Sequence, residues 1–251
     1  MFRVIPVLTM TSEGLFRTRR FRTPVYVGDP INALRIFNAK EVDEMVIADI
    51  GPKAAWTEEH FGYLAKLSSQ AFMPLAYAGR LFDVEPARRI LRSGFEKVVF
   101  NSALTTNARA ISQIATEFGS QATVVSLDVR SEMGLKRVYI QNGQQSVKED
   151  WISLVRRAQD LGAGELYLRN IDHDGEMNGF DLEIVQEAAA QVSIPIVAVG
   201  GAGRIDDLVA ARRAGASAAA VGSWFVFYGR YRAVLINHPA KDELEAAFAT
   251  N

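Results

Sequence analysis

The feature that most restricts this chain is a register kept between its two halves. Pro74, Gly79, Gly94 and Ser102 recur as Pro195, Gly200, Gly215 and Ser223, each 121 positions later. The same offset pairs Asp29 with Asp150, Glu44 with Glu165 and Asp49 with Asn170. The second copy, Ile194 to Phe225, reads as strand, glycine turn, helix and strand. Ile194 to Val199 is apolar, β-branched and too short for a helix. Gly200-Gly201-Ala202-Gly203 then turns into an amphipathic helix beginning near Ile205 and ending at Gly215. Ser217 to Val221 is a second buried strand that closes on Gly222-Ser223. Strand–helix units repeated in this way call for a parallel sheet. The expectation is a single (β/α)8 TIM barrel built from two half-barrels, about residues 1–120 and 121–251.

The remaining elements follow the same alternation. Arg3 to Leu8 is a first strand with Thr9 at its carboxyl end. Met10 to Gly28 is expected as a long loop, with Arg17, Arg19, Arg20 and Arg22 among Phe16 and Phe21. It reads either as a basic lid for an anionic substrate or as a solvated charge run. Asp29-Pro30 starts a helix; Met45 to Ala48 is the second strand, ending in Asp49. A helix from Thr57 to Leu67 leads to a third strand, Phe72 to Tyr77. The turn Ala78-Gly79-Arg80, a helix from Val84 to Leu91 and a strand from Val98 to Phe100 complete the first half. A helix from Asn107 to Phe118 crosses to a fifth strand, Ala122 to Leu127, which ends in Asp128. Polar–apolar alternation over Lys136 to Ile140 predicts an inserted hairpin. Asp150 caps a helix to Leu161, and Glu165 to Leu168 is the sixth strand. The loop Asn170 to Gly175 and a helix from Asp181 to Ala190 lead into the second glycine-turn copy. Past Ser223 the expectation is a helical segment from about Tyr231 and a last helix, Lys241 to Phe248.

Composition narrows the function classes. A chain of 251 residues with 49% apolar content buries one barrel core. A net charge of −1 argues against nucleic acid or a membrane surface as the main partner. There is no cysteine, and His60, His173 and His238 are too scattered for a metal-ligand pattern, so no metal and no cofactor are expected. Val4 to Leu8 is too short for a signal peptide or a membrane span, which makes a soluble cytoplasmic protein the expectation.

In a (β/α)8 barrel the chemistry lies at the carboxyl ends of the strands. That places Thr9, Asp49, Gly79-Arg80, Asn101-Ser102, Asp128, Asn170 with Asp174, Gly200-Gly201 and Gly222-Ser223 around one mouth. Bare glycine amides at helix starts suit a phosphate, although the same glycines also serve tight turns. Gly200-Gly201 with Gly222-Ser223 forms one candidate pocket; Gly79-Arg80 with Asn101-Ser102 forms a second across the mouth. Two such sites imply a long substrate with two phosphates, or a nucleotide diphosphate. Asp128 is the candidate general acid or base, or else the partner of a nearby Lys or Arg. His173 is either a proton carrier or a loop residue. At the amino ends, Arg3, Glu44, Lys97 and Glu165 open four different strands, and charge there ordinarily serves stability.

The chain resembles, along essentially its whole length, the HisF-like cyclase subunit of imidazole glycerol phosphate synthase. The segments that carry the resemblance are RVIPVL, DEMVIADI, EKVVFNSA, FGSQATVVSLDV, LGAGELYL, DHDGEMNGFDLE and IPIVAVGGAG. The resemblance implies a HisH-like glutaminase subunit docked at the amino-terminal face and ammonia passing up through the barrel. It implies that Arg3, Glu44, Lys97 and Glu165 are an ammonia gate and that Asp128 is a catalytic aspartate. By the same resemblance Asn101, Asp174, Gly201 and Ser223 contact phosphate, and Gly175 belongs to the same loop. Thr9 stands where the family has its first catalytic aspartate, Arg17 where it has a lysine, and Arg80 where it has a glycine. A threonine hydroxyl keeps its proton near neutral pH and cannot replace a carboxylate base. Arg80 reshapes or fills the first-half phosphate site, while the second-half site is expected intact.

The segments PVYVGDPINALRIFNAKEVDE and GRYRAVLINHP are similar to a divergent branch linked to surface-polysaccharide synthesis. Membership there implies that barrel and glutaminase supply ammonia to a third enzyme, an amidotransferase. That enzyme converts an acetamido group on a nucleotide sugar into an acetamidino group. The alternatives are a true histidine-pathway cyclase acting on a small phosphorylated substrate, and a non-catalytic scaffold that only conducts ammonia.

Overall fold

The computed structural model describes residues 2–52 and 55–249. Eight parallel strands form a closed barrel: β1 (Arg3–Thr11), β2 (Met45–Asp49), β3 (Leu75–Ala78), β4 (Lys97–Phe100), β5 (Thr123–Glu132), β6 (Glu165–Asn170), β7 (Ile196–Val199) and β8 (Ala218–Val221). Neighbours pair in sequence order, and the halves are joined where β4 pairs with β5 and where β8 pairs with β1. The outer helices are α1 (Pro30–Ala39), α2 (Glu58–Ser68), α3 (Val84–Arg92), α4 (Ala108–Phe118), α5 (Trp151–Asp160), α6 (Leu182–Ala189), α7 (Ile205–Arg213) and α8 (Lys241–Ala249). A short helical turn, Ala103–Thr106, precedes α4.

Each strand sends alternate side chains to opposite faces, and the sequence fills both. Val4 and Leu8 of β1 pack outward with Leu34 and Phe37 of α1 in the layer between strands and helices. Ile5 and Val7 face the axis, with Val46, Ala48, Ala76, Val99, Val124, Tyr167, Val197, Val199, Ala218 and Ala220. Most of these axial side chains are small. Tyr167 is the large exception.

Helix starts are fixed by side-chain caps. Asp29 accepts from the Asn32 amide at 2.8 Å and Asp150 from the Ser153 amide at 2.9 Å, so residues 121 apart cap α1 and α5. Each such cap is worth about 1 kcal/mol. Thr57 caps α2, and Asp181 caps α6.

Three sequence expectations need correction. Met10 to Gly28 is not a loop: β1 runs to Thr11 and continues antiparallel through Gly14–Arg19 and Arg22–Gly28. Along Gly14–Arg19 the buried positions are Leu15 and Arg17. A charged residue therefore holds an inward place and hides the alternation. The segment near Tyr231 is also not helical, because Phe227–Tyr228 pairs antiparallel with Ala233–Val234 around Gly229. The third strand starts at Leu75 rather than Phe72, whose side chain is exposed. The predicted hairpin after the fifth strand is present as Leu135–Ile140 pairing back on β5, which thereby extends past Asp128.

Candidate active site

Two cavities open at the carboxyl ends of the strands, of about 430 and about 260 Å³. The larger is lined by Asp49, Gly79, Arg80, Asn101 and Ser102; the smaller by Thr9, Arg17, Asp174, Gly200 and Gly222. Asp128 and Arg169 line both, so the cavities are two lobes of one cleft. The sequence-predicted residues of the mouth are thus brought together, with four exceptions. Asn170, whose Nδ2 donates to Asp181 Oδ2 at 2.6 Å, and Gly175, Gly201 and Ser223 lie outside both linings.

Backbone packing explains two of the four. A Cβ on Gly201 would collide with the Gly179 carbonyl, and one on Gly175 with the Thr18 carbonyl. These glycines let chain segments touch. Ser223 is buried beneath Arg17, whose Nη2 donates to Ser223 Oγ at 3.4 Å. The Arg17 guanidinium rests against Gly222, and its Nη1 reaches the Val7 carbonyl at 3.3 Å. A side chain of the first hairpin thus forms one wall of the second-half pocket and covers Ser223. Burial first, then the positive charges of Arg169 and Arg232, push the Arg17 guanidinium below its ordinary range; Asp174 opposes them.

Asp128 is buried at the join between barrel and hairpin. Asn101 Nδ2 donates to its Oδ2 at 3.3 Å, while Oδ1 has no hydrogen-bond partner. Burial pushes this carboxyl up to about 6; Arg169 pulls it down and Asp174 adds to the rise. A carboxyl that titrates there exchanges protons near neutral pH, as acid–base chemistry requires. Thr9 is held otherwise: its hydroxyl donates to the Phe16 carbonyl and accepts from Arg17 Nη1 at 3.4 Å.

In the first half, Arg80 fills the place expected for phosphate with its own side chain. Its Nη2 donates to Asp49 Oδ2 at 2.5 Å and its guanidinium lies over Trp56 at 4.7 Å. Asp49 also accepts from the Tyr77 hydroxyl at 3.1 Å. His60 completes the cluster, its ring nitrogen 2.8 Å from Arg80 Nη2. Burial and then Arg80 lower the His60 pKa, with Asp49 opposing. Trp56, His60 and Tyr77 were not singled out in the sequence; a Trp four residues before a His on the first turn of α2 was the available signal. His173 makes a local contact with the Gly179 carbonyl at 2.9 Å.

At the amino ends, four charges meet as a ring. Lys97 Nζ lies 2.9 Å from Glu44 and 2.9 Å from Glu165. Arg3 bridges the same two carboxylates, at 2.5 Å to Glu44 and also to Glu165. Tyr167 connects this ring to the cleft. Its hydroxyl is 3.5 Å from Glu44 Oε1, and it also lines the larger cavity. Burial, then Glu44, hold that phenol well above its ordinary pKa, so it stays protonated. Sequence reasoning passed over it as one more residue of an apolar strand.

Among the described residues no group of three His, Cys, Asp or Glu is arranged to hold a metal ion. No described helix is long and apolar enough to cross a membrane.

A closed (β/α)8 barrel with a bilobed polar cleft at its carboxyl ends and a charge ring at its amino ends defines a class of barrel protein. Within that class, the chain belongs to the histidine biosynthesis protein family, whose model matches residues 3–232. A relative from Pseudomonas aeruginosa, named "Putative imidazole glycerol phosphate synthase subunit hisF2", is 41% identical over 97% of this chain and 98% of its own length. One from Vibrio vulnificus, named as subunit hisF3 of the same synthase, is 43% identical over 98% of this chain and 95% of its own. The Thermobifida fusca protein named "Imidazole glycerol phosphate synthase subunit HisF" is 33% identical over 90% of each.

Proposed function

We propose that this chain is the ammonia-using barrel subunit of a glutamine-dependent amidotransferase. A glutaminase subunit docks at its amino-terminal face. Its ammonia serves acetamido-to-acetamidino conversion on a nucleotide sugar for surface polysaccharide, together with a third, amidotransferase enzyme. The observation that carries the reading is the axial line from ring to cleft: Arg3, Glu44, Lys97 and Glu165 at the bottom, Tyr167 above them, and Asp128 beyond. Small axial side chains such as Ala76, Ala218 and Ala220 surround that line. The altered acceptor is supported by Thr9, which offers no carboxylate, and by Arg80, whose guanidinium is already paired with Asp49. The resemblance of residues 24–44 and 229–239 to the polysaccharide-linked branch supports the same acceptor.

A second reading, a true histidine-pathway cyclase, is favoured by Asp128, which retains a buried position and a pKa raised to about 6. The deciding experiment is turnover of the histidine-pathway imidazole precursor by this chain alone, with an ammonium salt as nitrogen source. Ammonium removes the need for a glutaminase. No turnover by folded protein is the expected result; turnover at the rate of ordinary cyclases overturns the proposed acceptor. A pure conduit is tested by Asp128→Asn, which under that reading keeps full amidation activity.

A further inference from the structure

Two positive side chains, one at the centre of the cleft and one in its smaller lobe, each keep a buried Nε without a hydrogen-bond partner. Arg169 lines both cavities, and its buried Nε has no hydrogen-bond partner. Asp128 Oδ1 stands 3.9 Å from that nitrogen, outside hydrogen-bond range, and is itself unpartnered. The aliphatic stem of Arg169 packs against Gly200, and its guanidinium lies over the Phe21 ring at 5.4 Å. Packing on two sides thus fixes where the charge sits. Arg17 is buried in the smaller lobe, its Nε likewise without a partner. Buried donors left unpaired are unfavourable, charged ones most of all, so a site built this way is completed by a ligand that accepts.

The other end of the cleft differs. Arg80 there also has an unpartnered Nε, but its charge is matched at close range: its Nη2 lies 2.5 Å from Asp49 and also reaches His60. The charges less closely matched therefore lie at the centre, where the carboxylate of Asp128 stands 3.9 Å from Arg169, and in the smaller lobe, where Arg17 donates to neutral oxygens. The larger lobe's far wall offers a formed ion pair. A ligand with phosphates at both ends would meet, at one of them, an arginine already paired with a carboxylate. A ligand with its negative charge in the middle matches the arrangement.

We propose that Arg169, with Arg17, binds a diphosphate group at the junction of the two lobes, leaving one lobe for each organic end of the ligand. This rests on the nucleotide-sugar reading above and deepens it, since such molecules carry their diphosphate between two organic parts. Planar guanidinium forks suit phosphoryl oxygens in a bidentate manner, which a lysine at either place would not reproduce.

The test is isothermal titration calorimetry on the full chain with inorganic diphosphate and, separately, inorganic phosphate. The expected result is that diphosphate binds more tightly than phosphate and that Arg169→Met weakens diphosphate about tenfold to a hundredfold. Arg169→Lys is expected to recover only part of that loss. Thermal melts establish that the variants are folded, and Arg169→Gln serves if the Met variant is not. Undiminished diphosphate binding by a folded neutral variant overturns the proposal, as does wild-type protein that binds diphosphate no better than phosphate. Precursor turnover with ammonium is measured independently, so either result here is separable from failure of the proposed function.

Discussion

Arg17 lies against Gly222 so closely that a Cβ on that glycine would collide with its guanidinium. A residue from the first hairpin thus occupies the turn after the last barrel strand. The contact explains two features together. Gly222 has ordinary negative φ and needs no glycine for its backbone, while Arg17 needs the bare Cα for space.

That difference separates the glycines by stability. Gly222→Ala meets only the far end of a flexible side chain and is expected to change stability by no more than about 1 kcal/mol. Gly201 has φ of +115°, and an added Cβ would meet the Gly179 backbone. Gly201→Ala is expected to lose about 2–4 kcal/mol. Urea unfolding of the two variants checks this; equal losses would mean that Arg17 cannot move aside.

Asp128 should make the protein less stable as pH rises. Its carboxyl is raised from 3.8 to about 6 in the folded chain. Between those values the folded state keeps a proton that the unfolded state has released, so stability falls with increasing pH and levels off above about 6. At about 1.4 kcal/mol per pKa unit the loss is roughly 2–3 kcal/mol. Asp128→Asn, which cannot ionise, is expected to be more stable than wild type at pH 8 and to lose most of that advantage by about pH 4. Urea midpoints across that range decide it. A flat wild-type profile would place the Asp128 pKa near its ordinary value.

Arg80 sits at φ of +53°, a left-handed conformation in which a side chain costs about 1 kcal/mol relative to glycine. Arg80→Gly and Arg80→Ala both remove the partner of Asp49, but only glycine relieves the backbone. The glycine variant is therefore expected to be more stable than the alanine variant by about 1 kcal/mol. In both, His60 loses the positive charge that helps hold its pKa down, and its ring should titrate at higher pH by NMR.

How much of this was legible beforehand depends on where charge sits. The strands and helices of the barrel were readable because their apolar residues alternate or recur with the expected period, as Ile5 and Val7 do against Val4 and Leu8. The first hairpin was misread because Arg17 takes an inward position, and no periodicity rule assigns a guanidinium to the inside. Asp128 stood out as an acid ending an apolar run. Arg169 did not, because its importance comes from a gap of 3.9 Å and an unpaired Nε that only packing creates. Tyr167 was hidden for the opposite reason: an aromatic in a barrel strand looks like core until its hydroxyl is found 3.5 Å from Glu44.

Tyr167 and Lys97 together predict how ammonia travels. If ammonia enters through the ring, both residues lie on its way to Asp128, whereas external ammonium can reach the cleft from its open mouth. Tyr167→Trp enlarges the largest axial side chain and should lower the glutamine-driven rate while leaving the ammonium-driven rate within about twofold, less than 1 kcal/mol of barrier. Lys97→Ala should also change the ratio of the two rates, here by leaving Glu44 and Glu165 held by Arg3 alone. It is expected to reduce stability by about 1–3 kcal/mol, below the full cost of breaking a buried pair because Arg3 remains and the ring is partly exposed. Rates with each nitrogen source, measured in the complex with the glutaminase, provide the check. An unchanged ratio in both variants would mean that the ring and Tyr167 serve the barrel's stability and that ammonia reaches Asp128 by another route.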